Sequence, residues 1–412
     1  MIHLKPFKAV RPPREKVHLV ASRSYVTYTP GALSRKLSEN PYSFIHIINP
    51  EFSTGEKTKK NSPERFKKVR KRYLDFLQDG FLESDHDRCF YLYDQSTPNG
   101  SFTGIIGGVS TEDYNSGRIK KHEQTLTKRE QMFSDYLELC GFNAEPVLLS
   151  YREEVSSLEA LYATIKLDRP EYEFTTTDQI THRLWAIQAP KDIARIESAF
   201  QKVECLYIAD GHHRMASSAL LAQKKRANNS VHMGDEDYNF TMAMIIQGEA
   251  LRISPFHRAI TKEIEIFPTS FLEQLSKEFE IKKLESPHFP NEKREFGLRL
   301  KDGWYKLKLK NFEGDSTTLS HLDAVILTNT ILEPLLSIED QKKDKRIQFI
   351  PESENFDLIE NKVDSGQLSA LFTLCPVSSQ ELYDISDEGS TMPPKTTYIE
   401  PKLRSGLTIM NL

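Results

Sequence analysis

Short apolar runs alternate with longer amphipathic stretches through the middle of the chain. The runs PVLLSY, RLWAIQA, CLYIA and FTMAMIIQ are predicted to be strands, because each is short, apolar and bounded by polar residues. The stretches between them, SSLEALYATIKL, DIARIESAFQKV and HHRMASSALLAQKKRA, are predicted to be helices. Such alternation indicates an α/β layer structure.

The segments before this region follow clear local signals. A helix is predicted from Ser62, with Ser62 as N-cap, proline at the first helical position, apolar residues at helical spacing and Gly80 as a stop. CFYLYDQ and FTGIIGGVS are predicted to form a strand pair joined by STPNGS, with something approaching the glycine-rich backbone closely. Before residue 50, VHLVAS and SFIHIINP are predicted to be short strands.

The pattern of apolar and polar residues changes after about residue 260. A strand pair is predicted there around FGLRLKDGWYKLKL, and a helix at LDAVILTNTILEPLL. We therefore expect an α/β region over residues 1–260 and an α+β C-terminal region over residues 261–412, packed on it. A chain of 412 residues exceeds what one hydrophobic core usually supports.

Composition and charge indicate a folded protein without a general affinity for polyanions. The 23 Phe and 16 Tyr are too many for a disordered chain. The net charge of −4 gives no field that would gather nucleic acid or anionic membrane. Four scattered cysteines, the absence of a signal-peptide pattern and the absence of a membrane-spanning run favour the cytoplasm.

The segment LYIADGHHRMA, residues 206–216, is the first candidate for chemistry. A strand is predicted to end at Ala209, with Asp210 as the N-cap of the next helix and Gly211 allowing a tight turn. His212, His213 and Arg214 then put potential cations at the positive end of a helix dipole, which an anion such as phosphate would offset. The alternative is that Asp210 only caps the helix while the histidines hydrogen-bond inside the fold. A metal held by the adjacent His212 and His213 is disfavoured, because their side chains point about 100° apart.

The segment IKKHEQT, residues 119–125, is the second candidate. Lys120, Lys121 and His122 are possible phosphate-binding groups and Glu123 is a possible carboxylate base. Taken alone, this composition is also typical of a polar surface turn.

The chain resembles the bacterial family known as domain of unknown function 1015. The resemblance covers nearly the whole length and rests on KPFKAVRPP, NPYSFIHIINPE, GRIKKHEQT, YIADGHHRMASSAL, DKRIQFI, VDSGQL and MPPKTTYIEPKLRSGL. Its D-G-H-H-R segment is similar to the phosphate-binding segment of the ParB and sulfiredoxin superfamily, which includes nucleotide-dependent kinases of free serine. The resemblance implies a ParB-like nucleotide-binding core.

The same resemblance implies roles for the two segments, with ATP or ADP and Mg²⁺ as cofactors. Gly211, His212, His213 and Arg214 would bind nucleotide phosphates, and Asp210 would hold magnesium or help take the hydroxyl proton. Glu123 would be the base, while Lys120, Lys121 and His122 would neutralise the transferring phosphoryl group. The set expected to act in catalysis is Glu123, Asp210 and His213.

Several positions depart from the family pattern. The family usually shows S-R-P-Y-D where this chain has SRSYV, so a carboxylate is replaced by Val26. Leu126 and Phe133 stand where arginines are expected, and Pro351 and Glu352 replace paired glycines.

Three functions follow as hypotheses. The leading one is a cytoplasmic kinase that uses a nucleotide to phosphorylate a small hydroxyl metabolite, free L-serine above all. The alternative, motivated by the departures, is a regulatory protein that binds a nucleotide or phosphometabolite without turnover. DNA binding by analogy with ParB is disfavoured by the balanced charge and by the lack of a helix-turn-helix pattern.

Overall fold

The structure, a computed structural model, describes residues 1–55, 57–312 and 314–412, and only the backbone of Val26, Ser53 and Thr54. The chain is a mixed α/β protein, as the alternation of patterns predicts. Its α-helices are α1 Val17–Val20, α2 Pro30–Glu39, α3 Ile45–Ile48, α4 Glu51–Thr54, α5 Pro63–Gln78, α6 Thr111–Asn115, α7 Thr127–Cys140, α8 Ser156–Ile165, α9 Pro190–Phe200, α10 His212–Ala227, α11 Pro268–Leu275, α12 Asp323–Leu327, α13 Phe356–Asp364 and α14 Ser379–Asp387.

The strands are β1 Leu4–Lys5, β2 Ala9–Arg11, β3 Glu83–Ser84, β4 Phe90–Thr97, β5 Gly100–Ser110, β6 Ile119–Lys120, β7 Phe142–Asn143, β8 Val147–Tyr151, β9 Tyr172–Thr175, β10 Thr181–Ile187, β11 Leu206–Asp210, β12 Phe240–Gln247, β13 Arg252–Thr261, β14 Phe279–Leu284, β15 Glu295–Leu300, β16 Gly303–Leu309, β17 Ile347–Pro351, β18 Leu368–Leu374, β19 Thr397–Glu400 and β20 Ile409–Asn411. Short 3₁₀ turns lie at Tyr25–Thr27, Asp237–Asn239, Gly248–Ala250 and Thr318–His321, and a π-helical turn follows α12 at Thr328–Leu332.

Two compact units divide the chain. Unit 1 comprises Met1–Leu251 and Pro401–Leu412, and unit 2 comprises Arg252–Glu400. The boundary expected near residue 260 therefore falls inside β13. Residues 401–412, expected with the C-terminal region, belong to unit 1 because β20 pairs with both β2 and β7.

Unit 1 is built on a nine-stranded sheet in the order β6-β11-β8-β12-β5-β4-β10-β9, with β1 beside β5. The pairs β6–β11 and β8–β12 are parallel. One apolar core packs side chains of this sheet against α8 and α9, through residues such as Leu161 and Phe200. A second core packs α5 and α3 against the small sheet β3-β2-β20-β7.

The local signals around α5 and the first hairpin are confirmed. The Ser62 side chain accepts a hydrogen bond from the Arg65 amide, and Phe66 and Tyr73 are buried on the inner face of α5. The strands β4 and β5 pair in antiparallel register across the predicted turn. A Cβ on Gly107 of β5 would lie 2.7 Å from the Phe90 ring, which is the close approach that the glycines allow.

Two strand predictions near the N-terminus are wrong. VHLVAS contains the helix α1 and SFIHIINP contains the helix α3. Apolar runs this short carry too little periodicity to separate strand from helix. Here a single helical turn buries Val17 with Val20, and Ile45 with Ile47, so tertiary burial decides the conformation.

Unit 2 is an α+β layer. Its seven-stranded sheet has the order β14-β16-β15-β18-β13-β17, with β19 beside β13. The strand pair predicted around FGLRLKDGWYKLKL is β15 with β16, and the helix predicted at LDAVILTNTILEPLL begins as α12. Neither unit, over the residues described, contains a helix with both the length and the apolar character needed to span a bilayer.

Candidate functional site

The two candidate segments meet at one edge of the unit 1 sheet. Strand β6 pairs in parallel with β11, with Ile119 opposite Leu206 and Lys120 opposite Tyr207. Parallel strands end at the same edge, so the residues after Lys120 and those after Asp210 emerge side by side. In open α/β sheets this edge is where ligands commonly bind.

The turn between β11 and α10 begins one residue later than predicted. Asp210 is the last residue of β11, and the N-cap of α10 is Gly211, with φ of 95° and ψ of 29°. The Asp210 carboxylate does not cap the helix, because a glycine in a left-handed conformation separates it from the first turn. No side chain of the described chain caps α10. The first-turn amides and the positive end of the dipole are thus left for another partner.

Two buried imidazoles lie directly beside this turn. The rings of His122 and His212 meet edge to face with centroids 4.5 Å apart. His212 Nδ1 lies 3.5 Å from Glu123 Oε2, while the Glu123 side chain is half-exposed. Both ring nitrogens of His122 and Nε2 of His212 are buried without a hydrogen-bond partner.

These imidazoles are neutral at neutral pH. Burial lowers the pKa of His122 to about 4, against the opposing pull of the Asp210 carboxylate. Burial, with repulsion from His122, His213 and Lys121, lowers the pKa of His212 well below its usual range. The expectation that His122 acts as a cation therefore does not fit its surroundings, and a neutral His212 does not oppose the helix dipole.

His213 occupies a more open position on the same turn. Burial lowers its pKa, and the nearby Arg129 adds to this effect. Its Nδ1 has no hydrogen-bond partner, and its ring lies 6.5 Å from that of Phe133. His213 and His212 consequently face different surroundings, as the helical geometry predicts.

Arg214 is engaged with the chain segment before β8. Its Nη1 donates to the carbonyls of Glu145 and Pro146 and lies 2.8 Å from a Glu145 carboxylate oxygen. Its Nη2 lies 3.5 Å from the Asp210 carboxylate, which also has Lys402 at 3.8 Å. A Cβ at residue 211 would come within 3.0 Å of this guanidinium. The hydrogen-bonding groups of the Arg214 guanidinium are thus partly engaged within the protein.

The lysines of the second segment lie over aromatic rings. Lys120 Nζ is 5.9 Å from the centroid of Tyr207, and Lys121 Nζ is 5.8 Å from that of Tyr114. Lys121 is exposed and Lys120 is half-buried. Their charges therefore stand near the sheet edge from which Glu123 emerges.

A cavity of about 240 Å³ adjoins α10, and sequence reasoning missed it. Its walls are mostly apolar, including Tyr25, Phe66 and Phe133, and Arg214 and Ser217 also line it. Phe133, one of the departures from the family pattern, thus forms part of the cavity wall. Leu126 is exposed at the start of α7, and the side chain of Val26 lies outside the described residues. No local pattern announces such a cavity, because its walls come from separate parts of the chain.

Potential metal-binding groups lie in two different surroundings. Asp210, expected to hold magnesium, lies between the cations Arg214 and Lys402. Within the described residues, potential ligand atoms of His122, Glu123 and His212 all lie within 4.8 Å of one another. Each of the two histidine-bearing segments follows a strand, which is why their side chains meet. Strand β6 has only two residues, too few for the sequence pattern to indicate it.

Comparisons with solved structures give distant likenesses. A free serine kinase in complex with AMP shows 14% identity and a TM-score of 0.35, covering 75% of this chain and 91% of its own. A conserved hypothetical protein from Pyrococcus furiosus shows 15% identity and a TM-score of 0.34, covering 75% and 94%. SbnI from Staphylococcus aureus, with a C-terminal truncation, shows 11% identity and a TM-score of 0.36, covering 72% and 82%.

No curated protein matches the chain. A family model does match, and it spans residues 4–325, which include both candidate segments and all of unit 1 except its first three residues and Pro401–Leu412. The family predicted from the quoted sequence segments is thereby confirmed. The chain belongs to the family described as Protein of unknown function (DUF1015).

Proposed function

We propose that this protein is a nucleotide-dependent kinase that phosphorylates the hydroxyl of a small metabolite, with free L-serine as the first acceptor to test. One observation carries the proposal: the uncapped N-terminus of α10 lies at the same sheet edge as the half-exposed Glu123 carboxylate. Amide donors at a helix N-terminus bind phosphate, and a carboxylate accepts the proton of an attacking hydroxyl.

The reaction asks the protein for positioning and charge stabilisation. The acceptor hydroxyl oxygen forms a bond to the terminal phosphorus of ATP or ADP, and the bond from that phosphorus to the leaving nucleotide oxygen breaks. The hydroxyl proton passes to the Glu123 carboxylate. Donors aimed at the phosphoryl oxygens stabilise the charge that develops there.

Each nearby group has a proposed part in this reaction. The α10 amides and the imidazole of His213 would bind phosphate oxygens, and Lys120 and Lys121 would supply positive charge. Asp210 would hold magnesium together with the donor phosphates. Magnesium would compete for this carboxylate with Arg214 and Lys402. Magnesium, when bound, would neutralise phosphate charge.

The cavity beside α10 is the proposed place for the apolar part of a ligand. Phe133 and Tyr25 offer aromatic walls, and Arg214 lines the same cavity. Ligand pockets commonly combine apolar walls with a few polar groups in this way. A nucleobase fits this chemistry better than the polar serine does.

A direct assay tests the proposal. Incubation with ATP or ADP, magnesium and L-serine should yield phosphoserine, detected by mass spectrometry. Replacing Glu123→Gln should lower the rate by about 10²–10⁴-fold, the usual contribution of a general base. The matched control is Glu159→Gln, an exposed carboxylate on α8, which should react at the wild-type rate. Equal rates in the two variants would contradict the role of Glu123.

A second candidate is a regulatory protein that binds nucleotide or phosphometabolite without turnover. Two observations favour it: Leu126 and Phe133 bring no charge where the resemblance expects arginines, and Arg214 is engaged by Glu145 and Pro146. Calorimetry that detects ATP or ADP binding, together with no product over a panel of hydroxyl compounds, would establish it over the kinase.

A further inference from the structure

We propose that His122, His212 and Glu123 form a binding site for a divalent transition-metal ion such as Zn²⁺. This goes beyond the proposed kinase activity, because the site is separate from the magnesium that Asp210 would hold and needs no nucleotide. It also assigns a role to two buried histidines that phosphate binding leaves without one.

The first step of the argument is the state of the ring nitrogens. Three of them, both on His122 and Nε2 of His212, are buried without a hydrogen-bond partner. His122 is 1% exposed and His212 is 5% exposed. Buried polar atoms are nearly always satisfied in folded proteins, and those that are not call for an explanation such as an ion. A metal ion would satisfy one of the two unpartnered nitrogens of His122.

The second step is distance. Zn²⁺ lies about 2.0–2.2 Å from imidazole nitrogen and carboxylate oxygen, so two ligands of a tetrahedral ion are separated by roughly 3.4 Å. His212 Nδ1 and Glu123 Oε2 are 3.5 Å apart. All three ligand atoms of the cluster lie within 4.8 Å of one another. Metal binding would draw them to the tetrahedral spacing by side-chain rotation.

The third step is donor chemistry. Neutral imidazole suits Zn²⁺, Fe²⁺, Co²⁺ and Ni²⁺, whereas Mg²⁺ and Ca²⁺ prefer oxygen ligands. Two histidines with one carboxylate are three protein ligands, which leaves a position for water or a phosphate oxygen. Since about half of the Glu123 side chain is exposed, a metal ion can reach the cluster from solvent.

The site is compatible with the proposed chemistry. Glu123 has two carboxylate oxygens, and ligation through Oε2, the atom nearest His212, leaves Oε1 to accept a proton. The metal would then lie beside the first turn of α10. Metal binding nevertheless stands or fails on its own, because it is measured on the protein alone.

Cobalt provides a visible probe for the test. The full chain, without a histidine tag and stripped with EDTA, is titrated with Co²⁺ in the absence of nucleotide and acceptor. We expect visible absorption bands that saturate at one ion per chain and that Zn²⁺ abolishes by displacement. Loss of a second-shell partner alone weakens metal binding about 10–100-fold, so His122→Ala and Glu123→Ala should each raise the Kd by more than about 100-fold.

Controls separate ligation from folding. His86→Ala, which removes an exposed imidazole of unit 1, should bind Co²⁺ like the wild type. His122→Ala alters a buried ring, so its fold is checked by circular dichroism. Glu123→Ala alters a half-exposed side chain and keeps the test decisive if the histidine variant unfolds. Absence of saturable bands in the wild type, or wild-type affinity in Glu123→Ala, would overturn the inference.

The two proposals fail separately. A protein that binds one Co²⁺ but makes no phosphoserine retains the metal site and loses the kinase. A protein that makes phosphoserine with magnesium alone and shows no saturable cobalt bands retains the kinase and loses the metal site.

Discussion

At the scale of single residues, His182 is a buried base whose protonation would oppose folding. The Tyr93 hydroxyl lies 2.7 Å from its Nδ1, and the Phe174 ring is stacked 5.0 Å away. Burial lowers its pKa to about 3, Arg404 adds to this effect, and Asp178 opposes it. The folded state therefore holds His182 neutral over the whole physiological range.

This histidine should make the stability of unit 1 depend on pH. The unfolded chain has a histidine pKa of about 6.5, so between pH 6.5 and 3 the unfolded state binds more protons than the folded state. The stabilisation is complete above about pH 6.5 and is lost as pH falls, by at most about 5 kcal/mol. Urea unfolding between pH 4.5 and 7.5 should show a shallower pH slope for His182→Asn than for the wild type.

The comparison for this prediction is His86→Asn, which changes an exposed imidazole. Its pH slope should match that of the wild type. An unchanged slope in His182→Asn would show that the loss of stability in acid comes from other groups of unit 1, such as the buried His122.

Residue chemistry in the candidate site was only partly predictable. Gly211 was correctly expected at the turn because its neighbours, an apolar strand and a helical repeat, define where the chain must reverse. The contact between His122 and His212 was not, because it joins residues far apart in sequence. Their charge state depends on burial, which no local pattern encodes.

At the scale of elements, helix α7 begins without a favourable cap. Leu126 is its N-cap, with φ of −92° and ψ of 120°, and its side chain is 54% exposed. A leucine at this position leaves the first-turn amides without a side-chain acceptor and exposes apolar surface. The departure from the expected arginine thus adds no compensating interaction at the helix start.

Replacing Leu126→Ser should stabilise the protein. A serine hydroxyl at the N-cap accepts a first-turn amide hydrogen bond, and good caps contribute about 0.5–2 kcal/mol. Urea denaturation should show an increase of that size in the free energy of unfolding. Leu167→Ser is the control, since Leu167 is 86% exposed and lies outside the helices, and its effect should stay within about 0.5 kcal/mol. A loss of stability in Leu126→Ser would refute the capping argument.

Element types were predictable where length and caps agreed. Helix α5 has Ser62, Pro63 and a long apolar periodicity, and it was predicted correctly. The helices α1 and α3 were mistaken for strands because each is a single turn, where burial in the core outweighs local preference.

At the scale of the whole molecule, unit 1 includes a strand, β20, that follows unit 2 in the sequence. Strand β20 lies between β2 and β7, and its Ile409 is buried in the core with Val10 and Phe142. The sequence alone placed this segment with the C-terminal region. Strand pairing over such a separation leaves no local trace, so the division into units needed the structure.

Shortening Ile409 should therefore destabilise unit 1. Ile409→Ala should lower the free energy of unfolding by about 2–5 kcal/mol and Ile409→Val by about 0.5–1.5 kcal/mol, because both remove buried methyl groups. Trp185 of unit 1, observed after replacing the unit 2 tryptophan by Trp304→Phe, reports the change. Equal stability of the alanine and valine variants would mean that β20 does not contribute to this core.

The late position of β20 in the sequence also affects how unit 1 folds during synthesis at the ribosome. Strands β2 and β7 are made early, yet the strand that fills the gap between them emerges only after all of unit 2 has been translated. Until then both strands offer unpaired backbone edges, a state that favours aggregation and engages chaperones. Slow translation of the unit 2 coding region would prolong that exposure, and the half-finished polypeptide would depend most on chaperone protection during this interval.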